Sequence, residues 1–346
     1  MKPTLLPIVM SLVSVTAHAQ WIEQTSGTTA RLRGLCVVDE RVAWTSGSGG
    51  TVLRTIDRGT TWKRKLITGA DSLDFRDIEA FDDRTAYALS IGEGPLSRIY
   101  KTQDCGLNWV LQFVNQDARG FLDALAFWDS RHGIALGDPV DGRFVILTTD
   151  DGGKVWSRIP PEGMPKSLPS EGAFAASGTC LILQGERNAW FGTGGGRVFR
   201  STDRGRIWTV HETPIRAGNG SSGIFSLAFH NAEHGVAIGG DYKKPEQNGH
   251  TVALTTDGGR TWKLPKGSKP GGYRSAVAYM GGSQGTKLVA VGPTGTDLSG
   301  DGGESWLKIS DVGFHAVVFS GVGAGWAVGE NGRIAWFDAG RLKVRP

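Results

Sequence analysis

Three carboxylate residues stand where the chain leaves or enters predicted strands. Asp138 and Asp241 each follow a predicted second strand of a repeat, and Glu171 precedes the strand that opens the repeat between them. Two carboxyl groups about 5 to 10 Å apart can act as general acid and general base in glycoside cleavage. Asp and Glu side chains also cap loops by accepting backbone N–H bonds, which is the alternative interpretation. The candidate catalytic residues are therefore Asp138, Glu171 and Asp241.

A second group of polar residues lies at the start of predicted innermost strands, with one tyrosine in a long loop nearby. Cationic side chains that converge on one opening favour an anionic ligand or an acidic protein segment. The alternative is that each arginine pairs with an aspartate of a neighbouring repeat. The predicted ligand-binding residues are Arg33, Arg76, Asp77, Asp123, Tyr242, Arg274 and His315.

Several other chemistries lack a pattern in this sequence. The residues Cys36, Cys105 and Cys180 match no metal-ligand or redox spacing, so we expect no metal. The stretch Gly192-Thr-Gly-Gly-Gly196 lacks the strand-to-helix context of a dinucleotide fingerprint, so we interpret it as a turn and expect no cofactor. The formal charge of +4 is spread along the chain without a dense Lys/Arg run, which argues against a nucleic-acid partner.

One eight-residue motif, Ser/Thr-x-Asp-x-Gly-x-x-Trp, occurs six times. In such a turn the carboxylate can accept backbone N–H bonds, the glycine can adopt a positive φ, and the tryptophan begins the outgoing strand. Because a carboxylate engaged in this way is not free to move protons, we assign these aspartates a structural role. They are Asp57, Asp104, Asp151, Asp203, Asp257 and Asp301.

The repeat spacing predicts an all-β, seven-bladed β-propeller with four-stranded antiparallel blades. Successive motif aspartates are 44 to 54 residues apart, which suits one blade per copy. After the sixth copy the chain offers only three more strands. The segment beginning at Trp21 resembles the strands that follow the motifs, so we expect it to close the last blade. Closure of the ring also protects sheet edges.

The first nineteen residues have the pattern of a secretory signal peptide. Met1-Lys2 precedes the apolar run Leu5 to Val15, and Ala17-His18-Ala19 resembles a cleavage site. We therefore expect residues 1–19 to be removed and residues 20–346 to form a single exported propeller, either periplasmic or extracellular. No later segment has the roughly 20 apolar residues of a membrane span.

The six motifs resemble the Asp-box, or bacterial neuraminidase, repeat. The whole mature chain is similar to the photosystem II stability and assembly factor propellers, through segments such as Phe75-Arg76-Asp77-Ile78 and Gly325-Trp-Ala-Val-Gly329. Departures at Gly137-Asp138-Pro139 and Gly239-Gly240-Asp241 resemble an exported bacterial subgroup. Arg158-Ile159-Pro160 follows a motif instead of preceding the first one, so the resemblance does not extend to sialidase activity.

Two functional hypotheses follow. The first is a non-enzymatic scaffold that binds a protein or a saccharide through its loop face, because no catalytic signature accompanies the complete repeat set. The second is a glycoside hydrolase or lyase that uses Asp138, Glu171 and Asp241 on the same face.

Overall fold

A computed structural model describes residues 20–320 and 324–341 of the chain. The predicted signal peptide, residues 1–19, lies outside the described residues. The described chain folds into seven antiparallel sheets, with helical structure limited to 3-10 turns at Gly94–Leu96, Pro161–Gly163, Glu330–Gly332 and Ala339–Arg341. The seven-bladed propeller predicted from the motif spacing is confirmed.

The sheets are numbered as blades 1 to 7 in chain order, and each runs from its innermost to its outermost strand. Blade 1 comprises β2 (Leu32–Val37), β3 (Ala43–Gly47), β4 (Thr51–Thr55) and β5 (Lys63–Arg64). Blade 2 comprises β6 (Asp74–Ala80), β7 (Ala86–Ile91), β8 (Arg98–Thr102) and β9 (Val110–Val114). Blade 3 comprises β10 (Leu122–Phe127), β11 (Gly133–Val140), β12 (Arg143–Thr149) and β13 (Ser157–Arg158).

Blades 4 to 6 repeat this plan with one shortened edge. Blade 4 comprises β14 (Leu181–Gln184), β15 (Asn188–Gly192), β16 (Arg197–Ser201) and β17 (Thr209–Glu212). Blade 5 comprises β18 (Ser222–Phe229), β19 (Gly235–Asp241) and β20 (Val252–Thr255), and a single bridge between Leu254 and Lys263 takes the place of a fourth strand. Blade 6 comprises β21 (Ala276–Tyr279), β22 (Leu288–Gly292), β23 (Gly295–Ser299) and β24 (Leu307–Ser310).

Blade 7 joins the two ends of the described chain. It comprises β25 (Ala316–Ser320), β26 (Ala324–Val328), β27 (Ile334–Asp338) and, outermost, β1 (Trp21–Gln24). The register pairs Trp21 with Phe337 and Gln24 with Ile334. The innermost strands contact one another in sequence, and β25 contacts β2, which completes the ring. Closure by the N-terminal strand therefore agrees with the prediction.

The six motifs form turns with nearly identical hydrogen bonds. In each, the Ser/Thr hydroxyl donates to the aspartate Oδ1 at 2.8–2.9 Å and accepts from the glycine N–H at 2.8–3.0 Å. The same Oδ1 accepts from the N–H four residues later at 2.9–3.1 Å. The motif glycines all have φ between 74° and 98°, where a side chain would be strained. Each turn is thus locked by residues within eight positions of one another.

Each blade meets the preceding one in an apolar cluster, and the tryptophan that ends a repeat turn packs in this cluster. Trp62, Trp156, Trp208, Trp262 and Trp306 are buried in five of these interfaces, and Trp109 packs against a sixth. Trp21 occupies the same place between blades 6 and 7, where its ring contacts Phe314 and Phe337 at centroid distances of 4.9 Å. Its Nε1 donates to Thr296 Oγ1 of blade 6 at 3.1 Å. Trp21 therefore replaces the motif tryptophan that blade 7 lacks.

The first prediction concerns the hydroxyl of a repeat turn. Thr55→Val keeps the shape of the side chain but leaves the buried Gly59 N–H without its acceptor. We expect the free energy of unfolding to fall by about 1 to 3 kcal/mol, the cost of an unsatisfied buried donor. Chemical denaturation measures the change, with Thr209→Val, at the exposed first position of strand β17, as the control. Equal effects of the two substitutions would show that the hydroxyl does not lock the turn.

The second prediction concerns ring closure. Trp21→Ala removes a side chain that is 5% exposed and should cost about 3 to 5 kcal/mol of unfolding free energy. The neighbouring Ile22→Ala, at a position 36% exposed, is the matched control and should cost far less. Hydrogen exchange should speed up first in β25, β26 and β27 of the Trp21 variant. Uniform protection across all seven blades would contradict the role of Trp21 in closure.

Candidate functional site

The face opposite the repeat turns carries the mouth of the central channel. Because strands within a blade alternate in direction, the start of each first strand lies at this face and the repeat turns lie at the other. Four first strands contain a bulge just after their start, at Arg33, Arg76, Asp123 and Phe225. A bulge adds an unpaired residue and re-aims its side chain. These four residues therefore leave the regular blade pattern at the channel mouth.

The chain between blades 3 and 4 crosses this mouth. We call residues 172–179 the plug. The Arg33 guanidinium donates to Ala176 O at 3.0 Å, and the Arg76 guanidinium donates to Ala175 O at 3.2 Å. On the other side, Ser177 Oγ donates to Ser275 O of blade 6 at 3.0 Å. A segment held by blades 1, 2 and 6 therefore lies across the channel just below its mouth.

Above the plug lies a cavity of about 440 Å³, which we call the cup, and one side of it is basic. Arg31, Arg33, Arg76 and His315 line this side. Arg76 pairs with Asp74 at 2.9 Å, whereas Arg33 has no ion pair with any described carboxylate and its buried Nε has no partner. Burial, and then the nearby Arg76 charge, lower the pKa of Arg33 to about 10, so it remains cationic at neutral pH. Arg33 is thus an unneutralised cation at the floor of the cup.

His315 adds little charge to the cup at neutral pH. Its Nε2 lies 2.8 Å from Glu330 Oε1. Burial lowers the pKa of His315 to about 4, because desolvation and the repulsion from Arg33 outweigh the attraction of Glu330. The sequence missed Arg31, which lies two residues before Arg33 and faces the same cavity.

The opposite side of the cup is aromatic. Phe174 of the plug stacks on Phe225 with ring centroids 3.8 Å apart and planes 8° apart. Tyr273 meets Phe225 edge-on at 4.7 Å, and Tyr242, whose side chain is 46% exposed, completes the wall at 6.2 Å. Of these four residues, the sequence singled out only Tyr242. The other three come from the plug, strand β18 and the connection before β21, so no local pattern marks them.

Arg274 does not reach the cup. It is fully buried in blade 6, where its Nε donates to Asp297 Oδ2 at 2.5 Å and its Nη1 donates to Thr294 Oγ1 at 2.8 Å. Val277 N–H donates to Ser226 Oγ of the preceding blade, just as Leu125 N–H donates to Asp77 of the preceding blade. Ser275, two residues before Val277, is therefore equivalent to the bulge residues Asp123 and Arg33 of blades 3 and 1. The arginine falls one residue earlier, at a position that faces the blade interior.

Asp77 and Asp123 lie beneath the cup and are also inaccessible from it. Asp77 accepts the N–H groups of Ile78 at 2.9 Å and Leu125 at 2.7 Å, and burial raises its pKa to about 7. Asp123 is completely buried, and neither carboxyl oxygen has a hydrogen-bond partner. Burial, and then the neighbouring Asp138, raise its pKa well above the usual value. Both aspartates are part of the channel interior.

A second cavity, of about 500 Å³, adjoins the cup, and we call it the trench. Phe174 lines both cavities. Much of the trench lining is glycine, and its carboxylates are Asp138 and Glu171. Asp138 Oδ1 accepts from Ala173 N–H at 2.8 Å, and burial raises the pKa of Asp138 to about 6. Asp138 is therefore ionised at neutral pH and faces the cavity.

The other two candidate catalytic carboxylates are engaged in internal bonds. Glu171 forms a buried ion pair with Arg197 and accepts bonds from Thr193 Oγ1 and Leu168 N–H. Asp241 accepts from Asn219 Nδ2 at 3.0 Å and from Lys243 N–H at 2.9 Å. Although burial opposes it, bonding by Ser221, Asn219 and Lys243 keeps the pKa of Asp241 below its ordinary value. Asp241 does not line the trench, so the structure brings together only Asp138 and Glu171 there.

The described residues show neither a metal-binding cluster nor a membrane-spanning helix. In residues 20–320 and 324–341, no group of three or more His, Cys, Asp or Glu side chains is placed to hold a metal ion. Within the same part of the chain, no helix has the length and apolarity needed to cross a membrane.

Comparison of the sequence with known proteins gives two kinds of relative, and no family model matches it. The chain is 23% identical over 230 residues to the chloroplastic photosystem II stability/assembly factor HCF136 of Arabidopsis thaliana, which covers 64% of this chain and 53% of HCF136. It is 26% identical over 255 residues to the xyloglucanase Xgh74A of Acetivibrio thermocellus, which covers 62% of this chain and 28% of the enzyme. The chain thus matches about half of the former protein and less than a third of the latter.

Solved structures show the same fold over nearly the whole chain. YCF48 from Cyanidioschyzon merolae superposes with a TM-score of 0.67 at 18% identity and covers 92% of this chain and 98% of its own. YCF48 bound to D1 peptide gives a TM-score of 0.66 at 17% identity, with 92% and 97% covered. The GH74 xyloglucanase from Xanthomonas campestris gives 0.63 at 16% identity, with 94% and 54% covered. The chain is therefore a seven-bladed propeller related to the photosystem II stability/assembly factors, as the sequence resemblance predicted.

Proposed function

We propose that this chain is an exported, non-enzymatic scaffold that captures an anionic segment of a partner protein in the cup. The observation that carries the proposal is the Arg33 guanidinium. It is largely buried, forms no ion pair with any described carboxylate and belongs to a residue that lines the cup. A buried charge without a counter-ion is costly, and an incoming carboxylate would offset that cost. The cup thus has the charge of a receptor for an acidic group.

The rest of the cup suits a peptide. Arg33 and Arg76 can hold a carboxylate through parallel N–H bonds, which are among the stronger hydrogen bonds in proteins. The wall of Phe174, Phe225, Tyr242 and Tyr273 offers apolar and aromatic surface for a neighbouring side chain. Among proteins of this fold, YCF48 is known bound to a D1 peptide, which supports a protein partner. A cationic and aromatic cup selects for an acidic residue next to an apolar one.

The motifs and the leader complete this proposal. We interpret the six turns as Asp boxes that hold the ring while the opposite face binds the partner. The leader pattern in residues 1–19 supports export to a periplasm or to the outside of the cell.

The third prediction tests the cup. A synthetic peptide rich in Glu and Phe, with a free carboxyl terminus, should bind the chain, and Arg33→Gln combined with Arg76→Gln should weaken binding by at least about tenfold. Fluorescence anisotropy of the labelled peptide measures the affinity, and circular dichroism checks the fold. Arg206→Gln, on an exposed repeat turn at the opposite face, is the matched control. Unchanged affinity in the double variant would exclude the cup as the binding site.

A glycoside hydrolase is the second candidate, favoured by the relation to xyloglucanase Xgh74A and by Asp138. A carboxyl group with a pKa of about 6 in a cavity suits a general acid. However, the mechanism needs a second free carboxylate. Glu171 is bound to Arg197, and Asp241 lies outside the trench lining.

The fourth prediction separates the two candidates. Because the trench offers one free carboxylate, we expect no release of reducing sugar when the chain is incubated with xyloglucan. A reducing-end assay with the wild-type chain and with Asp138→Asn measures this. Cleavage by the wild type that disappears in the Asp138→Asn variant would replace the scaffold proposal with the hydrolase.

A further inference from the structure

The cup and the trench are neighbouring cavities that meet at Phe174. Phe174 lines both, and the plug residues on either side of it contribute Ala173 to the trench and Ala175 to the cup. A ligand that leaves the cup over Phe174 therefore enters the trench without crossing a blade.

The two cavities carry opposite charge. The cup has Arg31, Arg33 and Arg76, whereas the trench has the ionised Asp138. Ala173 N–H bonds only Oδ1 of Asp138, which leaves Oδ2 available. Since none of the ion pairs in the described chain involves Asp138, a cation from outside has no internal competitor.

The negative charge of the trench rests on Asp138. The carboxyl group of Asp123 is completely buried beside Asp138, and both of its oxygens lack a hydrogen-bond partner. Interactions between charged groups are strong where water is largely excluded. Burial and the neighbouring Asp138 raise the pKa of Asp123 well above its usual value, which favours its neutral form, so Asp138 supplies the charge that attracts an approaching ammonium or guanidinium group.

The lining of the trench leaves room for a main chain. Gly218 and Gly220 have no other heavy atom within 4 Å of the position a Cβ would occupy, so this side is open. Gly194, on the other side, lies where a Cβ would be 3.3 Å from the Phe174 ring. Glycine at these positions lets the backbone of an extended segment approach closely.

We propose that the trench is a second subsite for the segment bound in the cup, and that Asp138 pairs there with a lysine or arginine side chain of that segment. This rests on the proposed function, because the anionic group in the cup sets the register of the segment. The preferred partner is an extended peptide with an acidic residue and, a few residues away, a basic one.

The test uses two series of peptides that share a Glu-Phe end for the cup. In one series a lysine stands one to five residues from the glutamate, and in the other series norleucine replaces the lysine. We expect one spacing at which the lysine peptide binds the wild-type chain about tenfold more tightly, by anisotropy, than its norleucine twin. The ratio of the two affinities, lysine peptide over norleucine peptide, should fall as the NaCl concentration is raised, because salt screens an ion pair.

Two variants test whether the preference for the lysine peptide arises in the trench. Asp138→Asn, which retains an acceptor for Ala173 N–H, should reduce the ratio to about one, while Asp141→Asn, in the turn after β11 and paired with Arg119 at the surface, should retain it. A ratio near one at every spacing in the wild type, or a ratio that persists in Asp138→Asn, overturns the inference. In both cases binding of the norleucine peptides would still support the cup. If no peptide of either series binds the wild-type chain, both proposals fail.

Discussion

The packing of one tryptophan between each pair of neighbouring blades is the interaction on which the ring depends. Six of these residues end a repeat turn, and Trp21 supplies the seventh. The turn fixes the start of the outer strand, and the tryptophan then places apolar surface against the preceding blade. Because a ring of blades has no free end, the loss of one such contact weakens two blades at once. This geometry explains why the N-terminal strand pairs with β27 at the other end of the chain.

A ring held at its rim and between its blades leaves the channel mouth free to depart from regular structure. The bulges at Arg33, Arg76, Asp123 and Phe225 occur there. The same region contains the unpaired carboxyl group of Asp123 and the unpaired Nε of Arg33. Buried polar groups without partners are unfavourable and persist only where the surrounding structure is rigid. The unpaired Nε of Arg33 at this face agrees with the binding role proposed for it.

The plug separates these features into an accessible and an inaccessible set. Its carbonyl groups accept bonds from Arg33 and Arg76, which orients both guanidinium groups at the floor of the cup. The same segment covers Asp77, whose carboxylate lies against Gly178. A single connection between blades 3 and 4 thereby leaves Arg33 and Arg76 lining the cup and covers the acidic residues. The result is a cationic cup above an acidic channel interior.

The number of blades, the position of the repeat turns and the closing strand could all be predicted from the amino-acid sequence. The turns depend on hydrogen bonds within eight residues, and the number of blades follows from the regular spacing of the motif. Both are therefore visible as local patterns in the sequence. The sequence also indicated that Arg33, Arg76, Tyr242 and His315 lie near one opening, because they recur at equivalent strand starts or in an unusually long loop.

The accessibility of these residues, in contrast, depends on contacts between distant parts of the chain. Arg33 and Arg76 meet the plug across 143 and 99 residues of chain, and no periodic pattern encodes contacts at those separations. A shift of one residue in the first strand turned Arg274 toward Asp297 in the blade interior, because neighbouring residues of a strand point to opposite sides. Glu171 was likewise committed to Arg197 by the fold of a long connection. The sequence predicts the local turns, whereas the binding face depends on side chains that meet only after the ring has closed.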